Sequence, residues 1–416
     1  MMHRNLNHSW IYIIAFLLST SFHACTNRKI QGHHNGTNVT YPESVVKIEL
    51  DNAERHDKLF YSSFLQSPKT IILETNEKCL IKRIREVDIY KDKIYLLDDL
   101  FNRMYVFDME GHFLSQIGDV GTGPGEYLQL SDFSIDRKEN MIYLWDEAAN
   151  AILKFELGGM QFVSSVKIGE VGTTSFCMQY FDGKFYLNNV ILDNPSGKYQ
   201  IKEMDASTGE KIEDYIPTWD YCLGWNLSLR LSHSFFYSRN SDTPLYIGLF
   251  SNTVFGLSKD GFIPTYVMES RDFATREDVE RILEEYSKTD GLINLSSIWG
   301  KERIYQISRL VEMKDYLYFQ YMKGVERNYA LYDKRNGMLV SSPCMIDDYL
   351  GNRHLLLEFC FSDENMVCSV LNSEFIPSFL ESLVYVDELN PQIDQFERLK
   401  LLNGDDNPVL FLHEYR

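Results

Sequence analysis

The chain has 416 residues, with 60 acidic against 41 basic side chains and a formal charge of −19. That excess repels phosphate backbones, so nucleic acid is not an expected partner. The seven cysteines show no CxxC pair and no Cys/His ligand spacing, which argues against a zinc site. This length permits either several ordinary domains or one closed ring of repeats.

Taken in chain order, the first element is a targeting segment. Arg4 precedes the apolar run Ile11–Phe22, too short to span a bilayer but suited to the core of a signal peptide. It ends in Phe22-His23-Ala24-Cys25. A small residue followed by cysteine is what a bacterial lipoprotein signal peptidase needs, although Phe22 and His23 stand where Leu and a small residue are usual. The expectation is cleavage after residue 24 and lipidation of Cys25; the other reading is a secretory signal with an incidental cysteine. Residues 25–40, polar and rich in Gly, Asn and His, read as a flexible tether. Residues 41–416 read as one folded unit, and the membrane is expected to be touched only through the lipid.

That unit announces itself by repetition. Residues 93–111 (KIYLLDDLFNRMYVFDMEG) and 141–159 (MIYLWDEAANAILKFELGG) match at a constant offset of 48, pairing Tyr95 with Tyr143, Asp98 with Asp146, Phe107 with Phe155 and Gly111 with Gly159. A fixed period of this size marks a supersecondary unit used several times. Period-two alternation makes every part of it strand. In the first unit Ile84–Tyr90 is strand one, Lys93–Leu97 strand two, Arg103–Asp108 strand three and Phe113–Ile117 strand four, with a turn at Glu110-Gly111 that needs a positive φ. The second unit runs from Asp132 to Ile168. Second strands recur near Tyr186, Tyr246, Tyr318 and Val367. The fold expected is all-β, a six-bladed β-propeller of four-stranded blades with two short helical insertions. One helix is predicted from Thr275, a candidate N-cap followed by acidic residues, to Gly291; the other spans about Pro377 to Leu389. Val45–Leu50 and Val409–Glu414 alternate at opposite ends of the chain and are expected to pair in one blade and close the ring.

Gly118–Tyr127 (GDVGTGPGEY), followed by Asp132–Asp136, resembles the blade junction of NHL-type propellers. The ending Asp405–Leu410 resembles the closing strand of six-bladed β-propeller lipoproteins of Bacteroidetes. The resemblance covers roughly residues 41–416 and implies an exported, lipid-anchored propeller, without implying a reaction. In lipoproteins of that group an acidic cluster after the lipidated cysteine favours surface display. None follows Cys25, so a periplasm-facing anchor at the outer membrane is expected.

Chemistry is harder to find. The glycines of 118–125 lack the following helix that a phosphate cradle needs and read as a tight connection between blades. Asp98, Asn102, Arg103, Asp119, Glu126, Trp145 and Asp146 fall on the face that carries the blade-to-blade connections and the loops between strands two and three. They form either an acidic, aromatic-edged mouth or, for Asp98 and Asp146, caps of their own turns. Trp219, Tyr221 and Trp225, in a long connection before the fourth blade, are the best placed to stack on a ligand, although blade cores also consume aromatics. No Gly-x-Ser-x-Gly turn, clustered His set or acidic metal triad stands out. No cofactor is expected, and Ca²⁺ at the channel has no ligand spacing to support it. Two functions remain: a non-enzymatic binding or scaffold propeller for a glycan, peptide or envelope protein, or a metal-assisted hydrolase or lyase at the central channel.

Overall fold

The computed structural model describes residues 29–34, 37–169, 175–188, 199–217, 236–239, 241–248, 251–287, 302–350, 357–384 and 394–416. Cys25, Trp219, Tyr221 and Trp225 lie outside them. Six sheets, each built on four antiparallel strands, form a six-bladed propeller. Blade one is Ile84–Tyr90, Lys93–Asp98, Arg103–Asp108 and Phe113–Gln116. Blade two is Leu130–Asp136, Met141–Asp146, Ala151–Glu156 and Gln161–Lys167. Blade three is Met178–Phe181, Lys184–Asn188, Tyr199–Asp205 and Lys211–Pro217. The inner strands of blades four, five and six are Phe236–Tyr237, Ile304–Glu312 and Phe359–Ser362. All six second strands stand where the tyrosine-centred pattern places them.

The repeat has a packing cause. Tyr95, Leu97, Val106 and Phe133 of blades one and two fill one buried cluster, and Tyr143, Trp145 and Phe185 fill the next. Each sheet is therefore apolar on both faces, as a blade stacked between two neighbours must be. Turn chemistry follows the same rule with a variation. Gly111 takes φ +89 against the Ile72 carbonyl, where a Cβ would lie 2.3 Å from the oxygen. In blade two the left-handed position falls instead on Met160, at φ +55.

Ring closure differs from the expectation. Val409–Glu414 is the third strand of blade six, beside Met366–Leu371, and its outer partner is Lys69–Ile72, with Val409 opposite Ile72. Val46–Glu49 runs parallel to Gly261–Glu269 as a fifth strand of blade four. Glu54–Arg55 does the same for the outer strand of blade five, and Leu59–Phe60 pairs with Met345–Ile346. Residues 46–72 thus belt the outer edges of three blades before blade one begins. Alternation reports that a segment is half buried; it does not name its partner.

The two helical insertions are α1 (Arg276–Ser287) and α2 (Ile376–Val384). Asp278 and Thr275 cap the start of α1 reciprocally. Within the stretch read as a tether, Lys29–His34 and Thr37–Pro42 pair as a hairpin. No helix among the described residues is long and apolar enough to cross a membrane.

Candidate functional site: the central channel

Five of the six inner strands enclose a cavity of about 100 Å³ on the propeller axis. Its walls combine Phe133, Phe236, Phe359 and Phe361 with Arg85, Glu86, Asp88, Arg239 and Arg309. The inner strand Ile84–Tyr90 contributes Arg85, Glu86 and Asp88 to this wall.

Arg239 crosses the channel from blade four to blades one, two and three. Its Nε donates to Gln179 Oε1 at 3.2 Å and its Nη1 to Asp132 Oδ1 at 2.9 Å, with Glu86 Oε1 at 3.2 Å. Its Nη2 donates to the Phe133 and Met178 carbonyls at 2.7 and 2.5 Å. An arginine has five N–H donors, and these acceptors occupy all of them. Burial opposes the charge, but Asp132 and Glu86 outweigh it and hold the guanidinium protonated. Burial also pushes the Glu86 carboxyl up to about 7; Asp132 and Asp88 add to the rise while Arg239 and Arg85 oppose it. Asp88 is raised by burial against the pull of Arg137, which grips it from behind through Nη1 at 3.3 Å and Nη2 at 2.5 Å.

Arg309 is placed differently. The ladder of blade five slips between Ser308 and Val311, and within that bulge Arg309 takes φ +53. A bulky residue seldom adopts the left-handed region, and such strain persists only where its surroundings enforce it. Tyr237 lines the same cavity wall as Arg309. The guanidinium, still 30 % exposed, pairs with Glu358, whose other oxygen takes Arg327 at 3.0 Å. Beside it the Cys360 thiol is raised well above its ordinary value, first by its hydrogen bond with Cys368 and then by burial. Both are free thiols, as are Cys79, Cys177 and Cys344.

The residues singled out from sequence sit elsewhere. Asp98 is fully buried and accepts the backbone N–H groups of Lys82, Leu100 and Phe101. Asp146 does the same for Leu128, Gln129 and Ala149. Asn188 continues the series in blade three, accepting from Phe176 and Cys177. Trp145 lies in the core and donates to the Ser175 carbonyl. Asn102 staples blade one to blade two through the Leu128 carbonyl and the Leu130 N–H. Arg103 and Asp119 pair at 3.5 Å, with Asp119 exposed, and Glu126 accepts the Gly123 N–H inside its own loop. Asn102, Arg103, Asp119 and Glu126 therefore gather at the junction of the first two blades, not around the channel cavity. Sequence reasoning missed Arg239, Arg309 and Glu86; the available signal was charge inside the first strands for Glu86 and Arg309, whereas Arg239 lies just beyond the short strand Phe236–Tyr237.

The fold and this arginine-rich axis define a six-bladed β-propeller whose channel is braced by buried ion pairs. Over residues 45–414 the chain matches the family described as a domain of unknown function, DUF4934, and it belongs to that family. Among solved structures it is similar to a protein of Bacteroides fragilis to which export is ascribed. The two share 20 % identity over 89 % of this chain and 99 % of that one, with a TM-score of 0.67, which shows a common fold. A DUF4221 family member from Bacteroides vulgatus aligns at 10 % identity over 85 % of this chain and 97 % of its own, with a TM-score of 0.45. Virginiamycin B lyase from Staphylococcus aureus aligns at 8 % identity over 83 % and 98 %, with a TM-score of 0.39. These two weaker likenesses carry no argument here. No curated protein matches the chain.

Proposed function

We propose that this protein is an exported, non-catalytic binding propeller that receives a glycan, peptide or protein partner at the mouth of its central channel. The observation that carries this reading is the state of the channel charges. Arg239, Asp132 and Asp88 are committed to each other, to Arg137 and to backbone carbonyls, which makes a fixed wall. A wall whose polar groups are already satisfied is rigid and suited to recognition. The aromatic rings around it offer stacking surface to a sugar or a side chain. We further propose that the chain is anchored at the outer membrane through Cys25, facing the periplasm, and works without a cofactor; the signal segment ending at Ala24-Cys25 and the likeness to a protein with ascribed export support this.

The test is a thermal-shift screen of the protein against glycans, peptides and divalent metals. A ligand that binds only the folded state raises the midpoint, by about 2.7 kcal/mol of stability at a hundred times its dissociation constant. A shift with one glycan or peptide class, without turnover, is expected; a chelator-sensitive metal shift with turnover overturns the reading in favour of a channel enzyme. For the anchor, Cys25→Ser is expected to move the protein from the membrane to the soluble envelope fraction, and unchanged partition overturns it.

A further inference from the structure

We propose that the channel mouth recognises a carboxylate on its ligand, held by the guanidinium groups of Arg309 and Arg85; this inference rests on the binding-propeller reading above. Three observations carry it. First, the cavity wall presents three arginines against Glu86 and Asp88 in a chain that is strongly acidic overall. Asp88 is neutralised from behind by Arg137, and Glu86 faces Arg239.

Second, Arg85 is the second residue of the inner strand of blade one, is exposed and makes no ion pair among the described residues. Its hydrogen bond is a long one, 3.4 Å from Nη2 to the Phe176 carbonyl. Glu147 lies within its field, but its Oε1 is taken by Gln129 Nε2 at 2.7 Å. Its exposed planar fork, held by this one long hydrogen bond and no ion pair, is available for two-point contact with a carboxylate.

Third, Arg309 lines the cavity from within the bulge, on a left-handed backbone. Bulges that re-aim a side chain, and strain retained in a bulky residue, cluster at binding sites. Glu358 divides its charge between Arg309 and Arg327, so it does not saturate either guanidinium. A cavity of about 100 Å³ admits a carboxylate and the carbon that bears it, with the rest of the ligand outside.

The experiment compares two matched pairs by titration calorimetry on the full-length protein: glucuronate with glucose, and an acetylated dialanine with its C-terminal amide. Wild type is expected to bind the acidic member of at least one pair and not its neutral twin, with affinity falling as salt rises. Arg309→Gly, which suits the positive φ and so preserves the fold, is expected to weaken that binding by about tenfold to a hundredfold, as loss of a charge-assisted contact does. Arg85→Gln is the independent second variant, with the same direction of effect. Equal binding of the acidic and neutral members overturns the carboxylate site and leaves the binding reading intact. No binding of either acid, or binding unaffected by both variants, also overturns it. Turnover of a bound acid sinks the non-catalytic reading while the site itself stands.

Discussion

The two sides of the channel use the same residue in opposite ways. On the side of blades one to three, Arg239 spends every donor on protein acceptors and is 13 % exposed. On the side of blades five and six, Arg309 shares one carboxylate with Arg327 and stands on a strained bulge. The number of acceptors within reach, and not the identity of the side chain, decides which arginine braces the ring and which remains available. The braced side includes blades one and two, the pair related by the 48-residue repeat. On the other side, blades four to six recruit the N-terminal belt at their outer edges.

The sharpest way to break this contrast is Arg239→Met. It would leave Glu86 and Asp132 without their shared cation and strand the Phe133 and Met178 carbonyls. Loss of one partner from a buried charged network costs about 3–5 kcal/mol, and chemical denaturation should show a loss of that size. A loss below about 1 kcal/mol would mean that water replaces the guanidinium and the brace is illusory.

Next in size is Asp146→Ala, which removes the acceptor of three backbone N–H groups at 2.7, 3.1 and 3.0 Å. Orphaned buried donors cost about 1–3 kcal/mol in such settings. The exposed loop cap Glu126→Ala should cost about 0.5 kcal/mol or less. Equal effects would show that the repeat position has no special structural duty.

Those aspartates also show what the sequence disclosed. Asp98 and Asp146 were visible because blades one and two assign the same job to the same offset, and turn capping, one of two readings open from sequence, is where the structure places them. The count of six blades was visible because each second strand keeps an apolar centre, marked by a tyrosine in five of them and by Val367 in the sixth. Blade four was faint because its first two strands form ladders of only two residues, Phe236–Tyr237 and Leu245–Tyr246. Closure was misassigned because Val46–Glu49 and Lys69–Ile72 are both four-residue strands with few apolar residues to distinguish them, and only three-dimensional stacking chooses between them. The Arg239 network was hidden because its members, Glu86, Asp132, Gln179 and Arg239, come from four blades and share no local spacing.

A smaller effect tests the electrostatics of the braced side. Glu86 is raised from the ordinary glutamate value to about 7, chiefly by burial. Between the unfolded value and about 7 the folded state holds a proton that the unfolded chain has lost, so this group's contribution to stability falls as pH rises through that window. Asp347, raised to about 7 by burial, acts in the same direction; His413, lowered to about 4 by burial, acts in the opposite one. Glu86→Gln removes only the first of these. The stability of wild type minus that of the variant should therefore decline by about 1 kcal/mol or more between pH 5 and pH 8. A difference independent of pH would mean that Arg239 keeps Glu86 ionised throughout.

The smallest change expected among the channel residues is the stability of Arg309→Gly, and its smallness is the informative part. Glycine relieves a left-handed bulky residue, a gain of about 1 kcal/mol. It gives up a partly exposed ion pair with Glu358, worth about 0.2–1 kcal/mol, and adds about 0.5–1 kcal/mol of unfolded-state entropy. The terms nearly cancel, so denaturation midpoints of variant and wild type should agree within about 1 kcal/mol, against the several lost at Arg239. If Arg309→Gly instead destabilises as much as Arg239→Met, both arginines are braces and the channel has no open side. If it stabilises while abolishing ligand binding, the strain at Arg309 is retained for recognition at a cost to the fold.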